Sequence, residues 1–415
     1  MGSRSSGRRR RAARSPLLAA LAATLALPLA GAERTFDEDL AFLRRHVEVV
    51  VLEDGAAGGA RVAVVPAWQG RVMTSTVGGS SPPSYGWINE ELIASRRLQP
   101  HINAFGGEDR PWLGPEGGQF SIFFAKGDPF DLDHWQTPPL VDTEAWAVEE
   151  KGPRHVAFLH RGRLVNYSGA AFDLRIDRTV RLLDREAAAR RLGVALPAAV
   201  RLVAFESENV LANAGSSAWT RESGLLSVWI LGMFRPSPAT TVVVPYREGP
   251  ESERGPVVND AYFGPVPKDR LAARDGVLYF KGDGRHRSKI GLSPRRARPV
   301  LGSYDAGRRL LTVVTFDMPE AASAYVNSMW EIQKEPFGGD VVNSYNDGPP
   351  APGAKPLGPF YELETSSPAA ALKPGQGSTH VHRTFHFEGP SADLDALARR
   401  LLGVGIDRIE SALSP

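Results

Sequence analysis

The chain has 415 residues, 42% of them hydrophobic and 23% charged, as in a soluble globular protein with a sizeable core. It has no cysteine, which excludes disulfides, thiol nucleophiles and thiolate metal sites. The formal charge of +2 originates at the N-terminus, where Arg4, Arg8 to Arg11 and Arg14 stand without an acid in residues 1–32. The remainder is net acidic and gives no basic footprint for nucleic acid.

Arg8 to Arg11, the apolar run Leu17 to Leu29 and Ala30-Gly31-Ala32 follow the basic, apolar, small-residue order of a cleaved leader. Residues 1–32 are therefore expected to direct export to the periplasm or beyond. Pro28 and the shortness of the run argue against a stable membrane span. Thr35 to Glu38 reads as a capping box opening a short helix with Leu40, Leu43 and Val47 on one face. A second short helix is expected over Asn89 to Leu98, a third over Asp184 to Leu192 and a fourth over Ser391 to Leu402. Gly193 and Gly403 stop the last two.

Strand signals recur at Val49 to Leu52, Arg61 to Pro66, Phe120 to Phe124, Val156 to Leu159, Phe172 to Leu182 and Val200 to Glu206. They continue at Leu225 to Leu231, Thr240 to Pro245, Val277 to Lys281, Leu310 to Phe316 and Val381 to Phe387. Asp283, Arg287, Lys289 and Asp305 form a further polar set, and the segment at Lys281 to Gly284 reads as a hairpin. Many short strands, high Gly (42) and Pro (33) and few helices predict an all-β sandwich. No linker is evident, so residues 33–415 are expected to form one domain, with a split near residue 255 as the competing arrangement.

Polar clusters along this chain suggest where chemistry is placed. In Gly358 to Pro368, Phe360, Glu362 and Glu364 share one strand face and Tyr361, Leu363 and Thr365 the other. Two carboxylates about 7 Å apart on one face call for a polar site. His101, Arg110, Trp112 and Glu116 surround a Gly-Gly pair at 106–107. There the glycines would let backbone approach a ligand, Arg110 supplies a fork of donors and Trp112 a flat face. Asn209 and Trp219 follow a Glu-x-Glu strand end. Asn327, Trp330, Asn346 and Asp347 crowd a stretch too polar for a core. Hydroxyl-rich ligands need this mixture of donors, carboxylates and aromatic plates. His380, His382 and His386 share a face, but without a nearby carboxylate or thiol they read as exposed or hydrogen-bonded strand histidines. No metal or other cofactor is assigned.

The Gly-Gly loop, the run of strands and the Glu364-to-Thr379 block resemble the galactose mutarotase-like superfamily, and within it an exported bacterial family of unknown function. The resemblance implies a β-supersandwich with a few short helices and a saccharide cleft on a concave sheet. It also implies that Glu364, or Glu362, is a general base. Phe105 stands where that superfamily commonly has His before Gly-Gly, and only Asn209 and Asn213 occupy the segment of its acid His, leaving His101 as a substitute. Two classes of function follow. One is a secreted saccharide-binding protein, as an aldose 1-epimerase-like isomerase if it turns over. The other is a non-catalytic envelope protein. Polysaccharide cleavage would need a further carboxylate such as Glu116 or Glu208.

Overall fold

The computed structural model describes residues 1–2, 34–55, 59–320 and 324–413; the leader-like segment lies almost wholly outside them. Strands are organised into sheets of three, ten and five. The ten-stranded antiparallel sheet runs Leu271–Arg274, Val277–Lys281, Thr240–Pro245, Val300–Asp305, Leu310–Phe316, Gly377–Glu388, Arg201–Asn213, Ala171–Leu183, His155–Val165 and Ala147–Lys151. The five-stranded sheet runs Ser288–Leu292, Val342–Asn346, Tyr361–Ser366, Ser227–Phe234 and Arg110–Gly114. Both contain strands from either side of residue 255.

The two large sheets pack face to face as a β-sandwich. Phe234, Ile290, Val342, Tyr361 and Leu363 of the smaller meet Val242, Leu278, Phe280 and Val314 of the larger. On the outer face of the larger sheet, Val243, Leu311, Val313 and Phe385 are covered by Leu394, Leu397 and Leu402 of helix Ser391–Leu402. That helix ends at Gly403, whose φ of 74° suits a residue without Cβ.

The capping box at Thr35 is present, with reciprocal bonds to Glu38, and opens helix Phe36–Arg44. Asn89 caps Glu90–Ser95, and Asp184 caps Arg185–Leu192 before Gly193. The three-stranded sheet, Val50–Glu53, Arg61–Val65 and Arg71–Thr76, packs with the first two of these helices.

Two expected elements differ. Phe120 to Phe124 is a loop: Ser121 N bonds Gly118 O at 3.0 Å and Ile122 N bonds Pro115 O at 3.1 Å, turning the chain so that Phe123 stacks on Trp135. Lys281 to Gly284 is a crossover rather than a hairpin, leading from the ten-stranded sheet to strand Ser288–Leu292 of the five-stranded one.

Candidate functional site

The period of two that fills the sandwich with Leu363 and Tyr361 turns the alternate residues outward. On the five-stranded sheet those residues are Arg110 and Trp112, Trp229, Leu231 and Met233, Glu362 and Glu364, Tyr345, and Lys289. Their register places Trp112 opposite Trp229, Arg110 opposite Leu231, Leu231 opposite Glu364 and Lys289 opposite Tyr345. Except for Glu364, all of them line one cavity of about 420 Å³. A hollow of this size suits a small ligand.

Two ion pairs cross its floor. Arg110 Nη2 donates to Glu362 Oε1 at 2.7 Å, and the guanidinium lies 4.4 Å from the Trp112 ring centre. Lys289 Nζ donates to Glu364 Oε2 at 3.1 Å, which also accepts from Trp229 Nε1 at 2.9 Å. The same ammonium sits 4.5 Å over the Trp229 ring and 5.3 Å from the ring of Tyr262. Such stacking holds a desolvated cation.

Burial pushes the Glu362 carboxyl up to about 8; Arg110 opposes the rise and the adjoining Glu364 reinforces it. Burial works against the charged form of Lys289, yet Glu364, Glu116 and Glu362 together hold it above the usual lysine value. Burial also raises Glu116, with Lys289 opposing and Glu364 adding to the shift. One cation thus serves three carboxylates.

Loops complete the walls. Glu116 is positioned by a bond from its N–H to Ser328 Oγ at 3.1 Å. His101 is held by its Nδ1, which contacts the Trp135 carbonyl at 2.7 Å and Gln136 Nε2 at 2.8 Å. Trp330 lies 5.9 Å from Trp135 between ring centres. Asp347 accepts from Tyr345 Oη and Gly358 N, both at 2.8 Å, and burial raises its carboxyl. Several buried donors on these walls have no protein partner: Arg110 Nε and Nη1, Trp112 Nε1 and Trp135 Nε1.

Seven residues singled out in the sequence therefore meet around the cavity: His101, Arg110, Trp112, Glu116, Trp330, Asp347 and Glu362. Glu364 lies beneath them, against Lys289 and Trp229. Five others lie elsewhere. Asn209 belongs to the interior of strand Arg201–Asn213, where its Oδ1 accepts from Arg178 Nη1 at 2.6 Å. Trp219 is core, edge-on to Phe172 at 5.4 Å. Asn327 ties its own loop through Met329 N at 3.0 Å. Asn346 has the wrong parity: it faces inward and binds Gly284 N at 2.8 Å and His286 O at 2.9 Å. Glu208 is on the ten-stranded sheet, beside Arg181.

The Gly-Gly pair serves packing rather than a ligand. A Cβ at Gly106 would come within 2.0 Å of the Trp87 carbonyl, and one at Gly107 within 2.8 Å of that of Val72. The three histidines are buried between the sheets: His380 Nε2 and His382 Nδ1 both contact Thr365 Oγ1, at 2.8 and 2.9 Å, and His386 Nε2 contacts Glu108 Oε2 at 2.8 Å. Among the described residues no cluster of three or more His, Asp or Glu is arranged to hold a metal ion. The sequence reading missed Trp229, a lone tryptophan in an apolar strand, and Trp135, which stands between His134 and Gln136 in a polar stretch. It placed Lys289 in a separate polar set.

Solved structures similar to this chain include the Slr1438 protein from Synechocystis sp. PCC 6803, with 13% identity over 83% of this chain and 96% of that one and a TM-score of 0.49. A galactose mutarotase-like protein from Lactobacillus casei ATCC 334 shares 10% identity over 82% and 100%, with a TM-score of 0.47. A galactose mutarotase related enzyme from Lactobacillus acidophilus shares 9% over 82% and 98%, with a TM-score of 0.44. No curated protein sequence matches. The model of a family of unknown function, DUF6786, matches residues 34–413, and the chain belongs to that family.

Proposed function

We propose that this protein binds a saccharide in the cavity of the five-stranded sheet, with Glu362 as proton acceptor and Glu116 as proton donor at the ring bound there. The observation that carries the reading is the meeting of the Arg110–Glu362 and Lys289–Glu364 ion pairs with the indoles of Trp112, Trp135, Trp229 and Trp330 at one hollow. Sugar hydroxyls provide acceptors around a ring edge, while the ring's C–H face suits the indoles of Trp112, Trp229 and Trp330. Glu362 and Glu116 both line the cavity, and burial raises both carboxyls toward the range useful for proton transfer. Lys289, between them and Glu364, stabilises whichever is ionised.

A second reading is supported by the pairing itself. Glu362 is neutralised by Arg110, and Glu364 by Lys289, an arrangement equally suited to binding hydroxyls without chemistry. Export by residues 1–32 belongs to the same proposal. No described helix is long and apolar enough to cross a membrane.

The test is thermal unfolding of residues 33–415 against a panel of mono- and oligosaccharides, followed by NMR of anomer exchange for any that bind. Ligand specific for the folded state raises the midpoint. A shift lost in Arg110→Ala supports the site, and anomer exchange lost in Glu362→Gln and Glu116→Gln supports turnover. Binding without exchange selects the second reading, and no shift with any sugar removes both.

A further inference from the structure

Beside the main cavity lies a groove of about 580 Å³, bounded by helix Glu90–Ser95 and by residues 355–359. The two hollows share Gln99, Ile102, Lys355 and Leu357. Gln99, Lys355 and Leu357 are exposed, so the partition consists largely of solvent-facing side chains that exchange rotamers rapidly. Lys355 and Glu91 form an ion pair of 2.9 Å with both side chains about four-fifths exposed (78% and 81%). A pair so open to water contributes little and is readily exchanged for other polar partners.

The base of the groove continues that of the cavity. Trp87 lines the groove and packs on Phe360 at 4.7 Å, and Phe360 lines the cavity. Gly358 lies against the Trp87 indole: a Cβ there would stand 2.0 Å from the ring. Asn89, Glu90, Glu91 and Ser95 supply polar groups along the opposite wall. Polar edges over an aromatic base thus recur outside the main cavity, and a single sugar ring bound over Glu362 leaves them unused.

From this continuity we infer that the ligand is an oligosaccharide, with a terminal unit over Glu362 and the next units passing Leu357 toward Ser95. The inference rests on the saccharide reading of the main cavity and adds chain length to it.

Calorimetric titration of the mature chain with glucose, galactose, xylose and galacturonic acid, and with the α- and β-linked di- to tetrasaccharides of each, tests it. In one such set, affinity is expected to rise at least tenfold from the monosaccharide to the trisaccharide. Ser95 is exposed, and a tryptophan there fills the groove; in Ser95→Trp the ratio of trisaccharide to monosaccharide affinity is expected to fall to about one. Equal affinity at every length overturns the extended ligand and leaves the cavity reading standing. A length gain that survives Ser95→Trp puts the added units elsewhere and overturns the groove. Absence of binding at every length overturns both readings.

Discussion

Arg110 and Glu362 form a 2.7 Å ion pair whose side chains are only 3% and 6% exposed, and they reach it from strands 252 residues apart in sequence. The strand between them, Ser227–Phe234, supplies Leu231 and Met233 as the apolar surface around the pair. Removing Arg110 leaves Glu362 buried without its donor, and its carboxyl, already raised by burial, holds its proton still more strongly. Arg110→Ala is therefore expected to destabilise the fold by about 1–3 kcal/mol in urea unfolding, the cost of an unpaired buried polar group. Arg110→Met with Glu362→Leu is expected to recover most of that stability and none of the ligand-induced thermal shift. If the double replacement is as unstable as the single one, packing rather than charge accounts for the loss.

Stability should depend on pH from both sides. Glu362 titrates near 4.5 when unfolded and near 8 when folded, so between these values the folded chain holds the extra proton and stability falls as pH rises. Burial shifts His380 and His382 the other way, from 6.5 to about 3 and about 4. Below pH 6.5 the unfolded chain takes up their protons first, and stability falls as the solution is acidified. The windows overlap between pH 4.5 and 6.5, where the two histidines outweigh the one carboxyl, so midpoints measured from pH 4 to 9 should show a maximum near pH 6.5. Glu362→Gln should flatten the alkaline limb alone, and His382→Gln should lessen the acid slope. An alkaline limb unchanged in Glu362→Gln would assign it to other groups.

Lys289 is the common counter-charge of Glu364, Glu116 and Glu362. Lys289→Met is expected to cost about 3–5 kcal/mol at neutral pH, because Glu364 keeps only the indole of Trp229 as a partner. The loss should be larger at pH 8 than at pH 5, since ionised carboxylates are what the missing cation leaves uncompensated. Adding Glu364→Gln should return part of it. A loss equal at both pH values would mean that Lys289 matters through the packing of its stem between Trp229 and Tyr262.

The site strand Tyr361–Ser366 was legible because its alternation is strict: carboxylates on one parity, Tyr361, Leu363 and Thr365 on the other. The capped helices at Thr35, Asn89 and Asp184 were legible for a similar reason, since their signals are local. Strand Arg110–Gly114 was absent from the expected strands because Pro111 and Gly114 disfavour a central strand. It is the edge strand of its sheet, where a missing N–H is tolerated. Val342–Asn346 was hidden by the polarity that its outward face needs, and Asn346 then went to the wrong face because its parity was never assigned. Asn209 looked like a rim residue since its partners, Arg178 and through it Asp109, come from distant strands. Burial opposes the charge on Asp109, but Arg178 at 2.7 Å holds its carboxyl below the usual range. Sequence distance conceals such a network.

Strand Tyr361–Ser366 has no idle side. Glu362 and Glu364 form the floor beneath the cavity, while Leu363 enters the core and Thr365 stands between His380 and His382. Losing or gaining one residue within it would exchange the two sets, driving carboxylates into the sandwich and leucine into the cleft. Substitution can thus change the outward side chains one at a time without disturbing the core, whereas a change in length within the strand would disturb both faces at once.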